Sequence, residues 1–206
     1  MPPLFRLCYI TDQNALGPRP LLPLIREAVE AGIDLIQIRE KDLPTRALLQ
    51  LVESAVTTAR GSETCIVVND RLDVALAAGA DGVHLGTQSI PAQAVRKIVP
   101  EGFWVGVSCH SREEVQVAET AGADYVVLGP IFETPSKIAY GPSLGLDMLR
   151  QAAGVARVPI LALGGISVER ARACLDVGAT GIAGIRIFQD APSLAVRIRE
   201  LRAQFP

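Results

Sequence analysis

The residues best suited to chemistry lie in short polar stretches directly behind apolar runs. Gln37-Ile38-Arg39-Glu40-Lys41 follows Leu35-Ile36. In an extended chain Gln37, Arg39 and Lys41 share one face, and Ile36, Ile38 and Glu40 share the other. An amide and two cations on one face suit an anionic ligand; the same residues could instead form a solvated network at a strand end. Asn69-Asp70 offers an amide oxygen and a carboxylate, hard donors of the kind that hold Mg²⁺, and Asp70 also fits a helix N-cap. His110, close to Ser108, can serve as a general acid/base or as a cap. His84 is embedded in an apolar run and reads as a satisfied core or rim histidine. The interrupted stretch 131–142 carries Thr134, Ser136 and Lys137 among prolines and small residues. It is long enough for a flap whose hydroxyls and ammonium meet phosphate, or for a plain surface loop. Gly164-Gly165 and Gly184-Ile185-Arg186 allow backbone N–H groups to approach a phosphate, although turns also want glycine.

These groups need a frame that brings them to one place. Short apolar runs occur at Leu7–Ile10, Leu35–Ile38, Cys65–Val68, Val83–Leu85, Trp104–Val107, Tyr125–Leu128, Pro159–Leu163 and Gly181–Ile185. Several are continuous, as in parallel strands covered on both faces. Helix-like segments alternate with them: Leu21–Ala31, Thr45–Arg60, Arg71–Ala78, Ile90–Val99, Arg112–Ala121, Leu146–Val155, Val168–Val177 and Ala191–Ala203. An echo, Ala/Val-Gly-x-Asp/Thr, opens at Ala31, Ala78, Ala121 and Val177, each time just before a strand. It recurs at every second strand–helix unit, which favours an eightfold closed barrel over an open doubly wound sheet. The expected fold is α/β, a (β/α)8 TIM barrel of eight parallel strands, with residues 1–206 as a single domain. In such a barrel the active site lies at the C-terminal ends of the strands. The polar stretches above all fall there.

Composition narrows the classes. Twenty basic and 22 acidic side chains leave a net charge of −2, which gives no support to a nucleic-acid surface. No apolar run has the length of a membrane span. The start lacks a signal-peptide layout, so a cytoplasmic location is expected. Cys8, Cys65, Cys109 and Cys174 form no C-x-x-C pair and read as buried thiols, not zinc ligands or disulfides. No P-loop or nucleophile elbow is present.

Taken in order, Gln37-x-Arg39-x-Lys41, Val68-Asn69-Asp70, Asp81-Gly-Val-His-Leu-Gly86, Gly106-Val-Ser108-Cys-His110, Gly129-Pro-Ile-Phe-Glu-Thr134-Pro-Ser136-Lys137 and Leu163-Gly164-Gly165-Ile166 resemble the thiamine phosphate synthase family, whose superfamily includes thiazole tautomerases. The resemblance implies that 4-amino-5-hydroxymethyl-2-methylpyrimidine diphosphate is joined to a thiazole phosphate with release of pyrophosphate, through a carbocation-like pyrimidine methylene. It implies Arg39, Lys41, Asn69 and Lys137 on the pyrophosphate, Asp70 on Mg²⁺, and Gln37 and Ser108 facing the pyrimidine. Thr134, Ser136, Gly165 and the Gly184-Ile185-Arg186 backbone would hold the thiazole and its phosphate. There are departures. Family synthases carry a second acidic metal ligand in a Gly-Gln-x-Asp pattern, whereas this chain has Gly86-Thr87-Gln88-Ser89, which weakens the expected Mg²⁺ site. Arg186 replaces a small residue near the thiazole phosphate. Tautomerases lack that ligand, need no metal and use the His matching His110 as a proton shuttle. A metal-independent tautomerase, and a non-catalytic barrel binding thiamine-type ligands, therefore stand beside the synthase. Partners implied are small phosphorylated substrates, without nucleic acid or membrane, and a homo-oligomer is compatible.

Overall fold

The computed structural model describes residues 5–134 and 143–206. Eight parallel strands pair in sequence order and close into a barrel: β1 (Leu7–Ile10), β2 (Leu35–Ile38), β3 (Cys65–Asn69), β4 (Gly82–Leu85), β5 (Trp104–Cys109), β6 (Tyr125–Leu128), β7 (Ile160–Leu163) and β8 (Gly181–Gly184). Around them lie α2 (Leu21–Glu30), α3 (Thr45–Ala59), α4 (Leu72–Ala78), α5 (Ala92–Val95), α6 (Arg112–Thr120), α7 (Gly145–Ala153), α8 (Val168–Asp176) and α10 (Leu194–Arg202). Two short helices, α1 (Gln13–Leu16) after β1 and α9 (Arg186–Gln189) after β8, were not evident from periodicity. One turn is too short to show a period of 3.6. α5 is shorter than its apolar pattern suggested. Beyond Val95 the chain tightens into three-residue turns, with Lys97 and Ile98 N–H groups donating to Ala94 and Val95 carbonyls, as Pro100 disfavours helix just ahead of it.

The continuous apolar strands have two buried faces. Leu7, Tyr9, Ile36, Ile38, Ile66, Val68, Val83 and Leu85 pack outward, under the helices. Cys8, Ile10, Leu35, Val67, Tyr125, Val127, Leu161 and Ala183 fill the lumen with Phe5. Phe5 meets Trp104 and Tyr125 edge-on, at centroid distances of 4.8 and 5.5 Å. All four cysteines are free thiols. Among the described residues no helix is long and apolar enough to cross a membrane.

The echo has a structural cause. Its glycines, Gly32, Gly79, Gly122 and Gly178, all take positive φ. The residue two positions later then ties each even strand to the start of the odd strand before it. Asp34 accepts from Leu7 N–H at 2.8 Å, Asp81 from Ile66 N–H at 2.7 Å and Asp124 from Val105 N–H at 2.7 Å. Thr180 instead donates its hydroxyl to the Ile160 carbonyl at 2.9 Å. These clamps occupy the N-terminal rim, where barrel residues serve stability.

Candidate active site at the strand C-termini

β2 stops at Ile38, and residues 40–43 turn, with Leu43 N–H on the Glu40 carbonyl. The two-residue alternation therefore carries Gln37 and Arg39 to the rim but does not govern Lys41, which stands exposed on the turn. Gln37 is buried, and its amide donates to Asn69 Oδ1 at 2.9 Å. Gln37 Oε1 is left buried without a partner among the described residues. Next along β3, Asp70 adopts φ 64°, a left-handed conformation that is uncommon outside glycine and that Asp tolerates better than most. Its N–H donates to the His84 carbonyl at 2.8 Å. Its exposed carboxylate makes no hydrogen bond or ion pair with the described residues. Ser89 supplies no second carboxylate there, and its Oγ accepts from Gly86 N–H at 2.8 Å, closing its own turn. Among the described residues no cluster of three His, Cys, Asp or Glu side chains forms a ready metal cage.

His84 is the satisfied histidine the sequence suggested. It is fully buried, Nδ1 lying 3.2 Å from Tyr125 Oη and Nε2 2.9 Å from Ser108 Oγ. Burial, with help from the nearby Arg39 charge, drives its pKa down to about 3. The imidazole is therefore neutral at working pH. His110 is half-exposed, and Glu114 accepts from its backbone N–H at 2.7 Å and lies 3.2 Å from its Nδ1. Ser111 caps the same helix start through Glu114 N–H. His110 thus stands one residue before the α6 N-cap, which is Ser111, and among the described residues its side chain meets only Glu114.

Arg39, Lys41 and Arg186 carry no salt bridge to a described residue. Arg39 is held from behind by a network the sequence did not advertise. Its N–H donates to Thr11 Oγ1 at 2.9 Å, Thr11 donates to Glu40 Oε1 at 2.5 Å, and Gln13 N–H donates to Glu40 Oε2 at 2.8 Å. Burial raises the Glu40 carboxyl against the opposing pull of those two bonds. The only signal for Glu40 was its outward parity, which says nothing of its partner.

On the opposite side Gly165 has φ 62°, and a Cβ there would come within 2.5 Å of the Glu133 carbonyl. The Gly-Gly pair thus admits the β6 loop, whose Ile131 and Phe132 N–H groups donate to Leu163 and Gly164. Arg170, absent from the sequence reading, bonds the Gly165 carbonyl at 2.8 Å and covers the Phe132 ring at 4.8 Å. Thr134 ends this described segment; Ser136 and Lys137 lie outside the described residues. After β8, Gly184 leads through Ile185 into α9, whose first turn has no side-chain cap. The contacts Gln37–Asn69, Asp70–His84 and His84–Ser108 join β2 to β5 along one half of the rim. The Gly165 and Gly184–Arg186 segments stand on the other.

Residues 7–188 match the family described as thiamine monophosphate synthase. A thiamine-phosphate synthase of Roseiflexus castenholzii is 41% identical over 192 residues, 93% of this chain and 84% of that protein. One of Moorella thermoacetica is 39% identical over 200 residues, 97% of this chain and 95% of its own. The solved thiamine phosphate pyrophosphorylase from Pyrococcus furiosus has a TM-score of 0.87 at 36% identity, covering 97% of this chain and 95% of that one. A 3-hexulose-6-phosphate synthase, at TM-score 0.74 and 21% identity, shares the fold. The chain belongs to the thiamine monophosphate synthase family.

Proposed function

We propose that this chain is a thiamine-phosphate synthase, a transferase that joins an aminopyrimidine-methyl diphosphate to a thiazole phosphate and releases pyrophosphate. The reading is carried by the continuous contacts from Gln37 through Asn69, Asp70 and His84 to Ser108, beside an Arg39 without a salt bridge. The wide identity to enzymes of that name supports it. In this reading Arg39, Lys41, Asn69 and Lys137 hold the diphosphate. As the methylene–oxygen bond breaks, its electron pair leaves with pyrophosphate, and cations held around the diphosphate would stabilise the charge that develops there. Gln37 and Ser108 hold the pyrimidine. Thr134, Ser136, Gly165 and the Gly184–Arg186 backbone hold the thiazole phosphate, so that the thiazole nitrogen meets the methylene carbon on the face that pyrophosphate leaves open.

The donor set fits Mg²⁺ in a lean form. Mg²⁺ is commonly held by one or two carboxylates plus substrate phosphates, and Asp70 offers one unpaired carboxylate at the rim. Bound there with the diphosphate, the ion would neutralise leaving-group charge. The test is a two-substrate assay with and without chelator: pyrophosphate release that needs both substrates and Mg²⁺ supports the reading, and well-folded protein inactive at high Mg²⁺ overturns it.

A second reading, a metal-independent thiazole tautomerase, is favoured by Ser89, whose hydroxyl is committed to Gly86 N–H. It requires His110 to shuttle a proton. Chelator-resistant thiazole aromatisation that collapses in His110→Asn would support it, and unchanged turnover in that variant would remove it.

A further inference from the structure

We infer that Tyr125 and His84 are positioning residues that fix the hydrogen-bond polarity of Ser108, presenting its hydroxyl to the substrate as a donor. The inference rests on the synthase reading only for what that substrate is.

The argument is a donor count. Among the described residues Tyr125 Oη, deep in the lumen, has one hydrogen-bond partner, His84 Nδ1. If Nδ1 carried the ring proton, the phenol could only accept, and its own O–H would be stranded in the interior. A buried donor without an acceptor forfeits the bond it had with water. The stable arrangement has Tyr125 O–H donating to Nδ1, which places the imidazole proton on Nε2. Nε2–H then donates to Ser108 Oγ, 2.9 Å away. With that lone pair engaged, the Ser108 proton turns away from His84, toward the rim. A doubly protonated ring would also donate to Ser108, so its polarity does not depend on the charge of His84.

The path needs a gap in β5. His84 is opposite Gly106 in the β4–β5 register. A Cβ at Gly106 would sit 2.6 Å from His84 Nδ1 and closer still to the Tyr125 ring. Glycine there lets β4 and β6 side chains meet beneath Ser108.

The consequence is specificity. Gln37, on β2, spends its N–H on Asn69 and keeps an unpartnered acceptor, Oε1. Ser108, on β5, turns its proton away from His84 and offers it as a donor. One acceptor and one donor match an aminopyrimidine edge, which offers an amino N–H and a ring-nitrogen lone pair. The corresponding pyrimidinone offers the reverse, a carbonyl and a ring N–H, which sets Gln37 Oε1 against another acceptor and leaves the Ser108 proton without an acceptor of its own.

The test has two arms. The ¹⁵N spectrum of the histidines in the full chain reports which His84 nitrogen is protonated; Nε2–H is expected, and an Nδ1–H ring overturns the inference. This arm needs no turnover, so inactive protein with an Nε2–H ring defeats the synthase reading and leaves the relay standing. The kinetic arm compares Tyr125→Phe, Ser108→Ala and the double variant. Each single change is expected to raise KM for the pyrimidine diphosphate about five- to tenfold, the loss of one hydrogen bond. KM for the thiazole phosphate should hold, and Tyr125→Phe should add nothing once Ser108 is Ala. Effects that multiply in the double variant, or that fall equally on both substrates, overturn the relay and assign Tyr125 a packing role.

Discussion

The Gln37 amide donates to Asn69 Oδ1 over 2.9 Å, linking β2 to β3 at the rim and leaving Gln37 Oε1 buried without a partner. Asn69 therefore orients Gln37, and in the proposed reading its own N–H₂ meets the diphosphate. Asn69→Ala should lower kcat/KM for the pyrimidine diphosphate about 10- to 100-fold, as expected for a hydrogen bond to a charged group. KM for the thiazole phosphate should stay within about twofold, since the proposed reading puts that substrate on the opposite half of the rim. Steady-state kinetics with each substrate varied in turn decides it; equal losses for both would show that Asn69 only shapes the barrel.

Asp70 combines a left-handed backbone with a carboxylate that pairs with none of the described residues. Asn tolerates the same φ, so Asp70→Asn removes charge without adding strain. Stability should change by no more than about 0.5 kcal/mol, as at an ordinary surface site. Half-saturating Mg²⁺ should rise about tenfold or more. Ser89→Asp should act in the opposite sense, because a second carboxylate raises affinity for a hard dication. Activity titrated against Mg²⁺ in both variants measures this, and indifference in both would remove Asp70 from the metal site.

The eight strands, their order and the polar rim were legible because each strand is buried on both faces and each polar stretch stands just behind one. Gln37 could be placed by parity, and Asn69 and Ser108 by standing directly behind apolar runs. Lys41 could not, since β2 ends at Ile38 and alternation has no meaning in the turn beyond it. The Thr11–Glu40 support of Arg39 joins residues 29 positions apart, and the His84–Tyr125 contact spans 41. Partners chosen by barrel closure leave no local pattern. The Ser89 turn was hidden for another reason: a serine in place of an acid marks a missing ligand but does not say where its hydroxyl goes.

Asp124 tests the division of labour between the two rims. Its carboxylate accepts from Val105 N–H at 2.7 Å and pairs with Arg96, far from the strand C-termini. Asp124→Ala leaves a partly buried N–H and a guanidinium without their acceptor. The expected cost is about 2–3 kcal/mol of stability, with kcat and both KM values within about twofold. Urea unfolding measured alongside kinetics would show it. A loss of activity in protein that remains folded would mean that the clamps also shape the site.

His84 should make stability fall with acid before most carboxylates titrate. Burial holds its native pKa at about 3, against an ordinary value of 6.5. Between those values the unfolded chain binds a proton that the native barrel excludes, so acid favours unfolding. The stabilising preference is complete above about pH 6.5 and is lost progressively toward about pH 3. The slope is about 1.4 kcal/mol per pH unit once the unfolded imidazole is charged. From about pH 6.5 to about pH 5 the loss approaches 2 kcal/mol. Urea unfolding across this range should show the decline in the parent chain and a nearly flat profile in His84→Gln, whatever that variant's absolute stability. The same slope in both proteins would place the acid sensitivity elsewhere and show that His84 takes up its proton in the folded barrel.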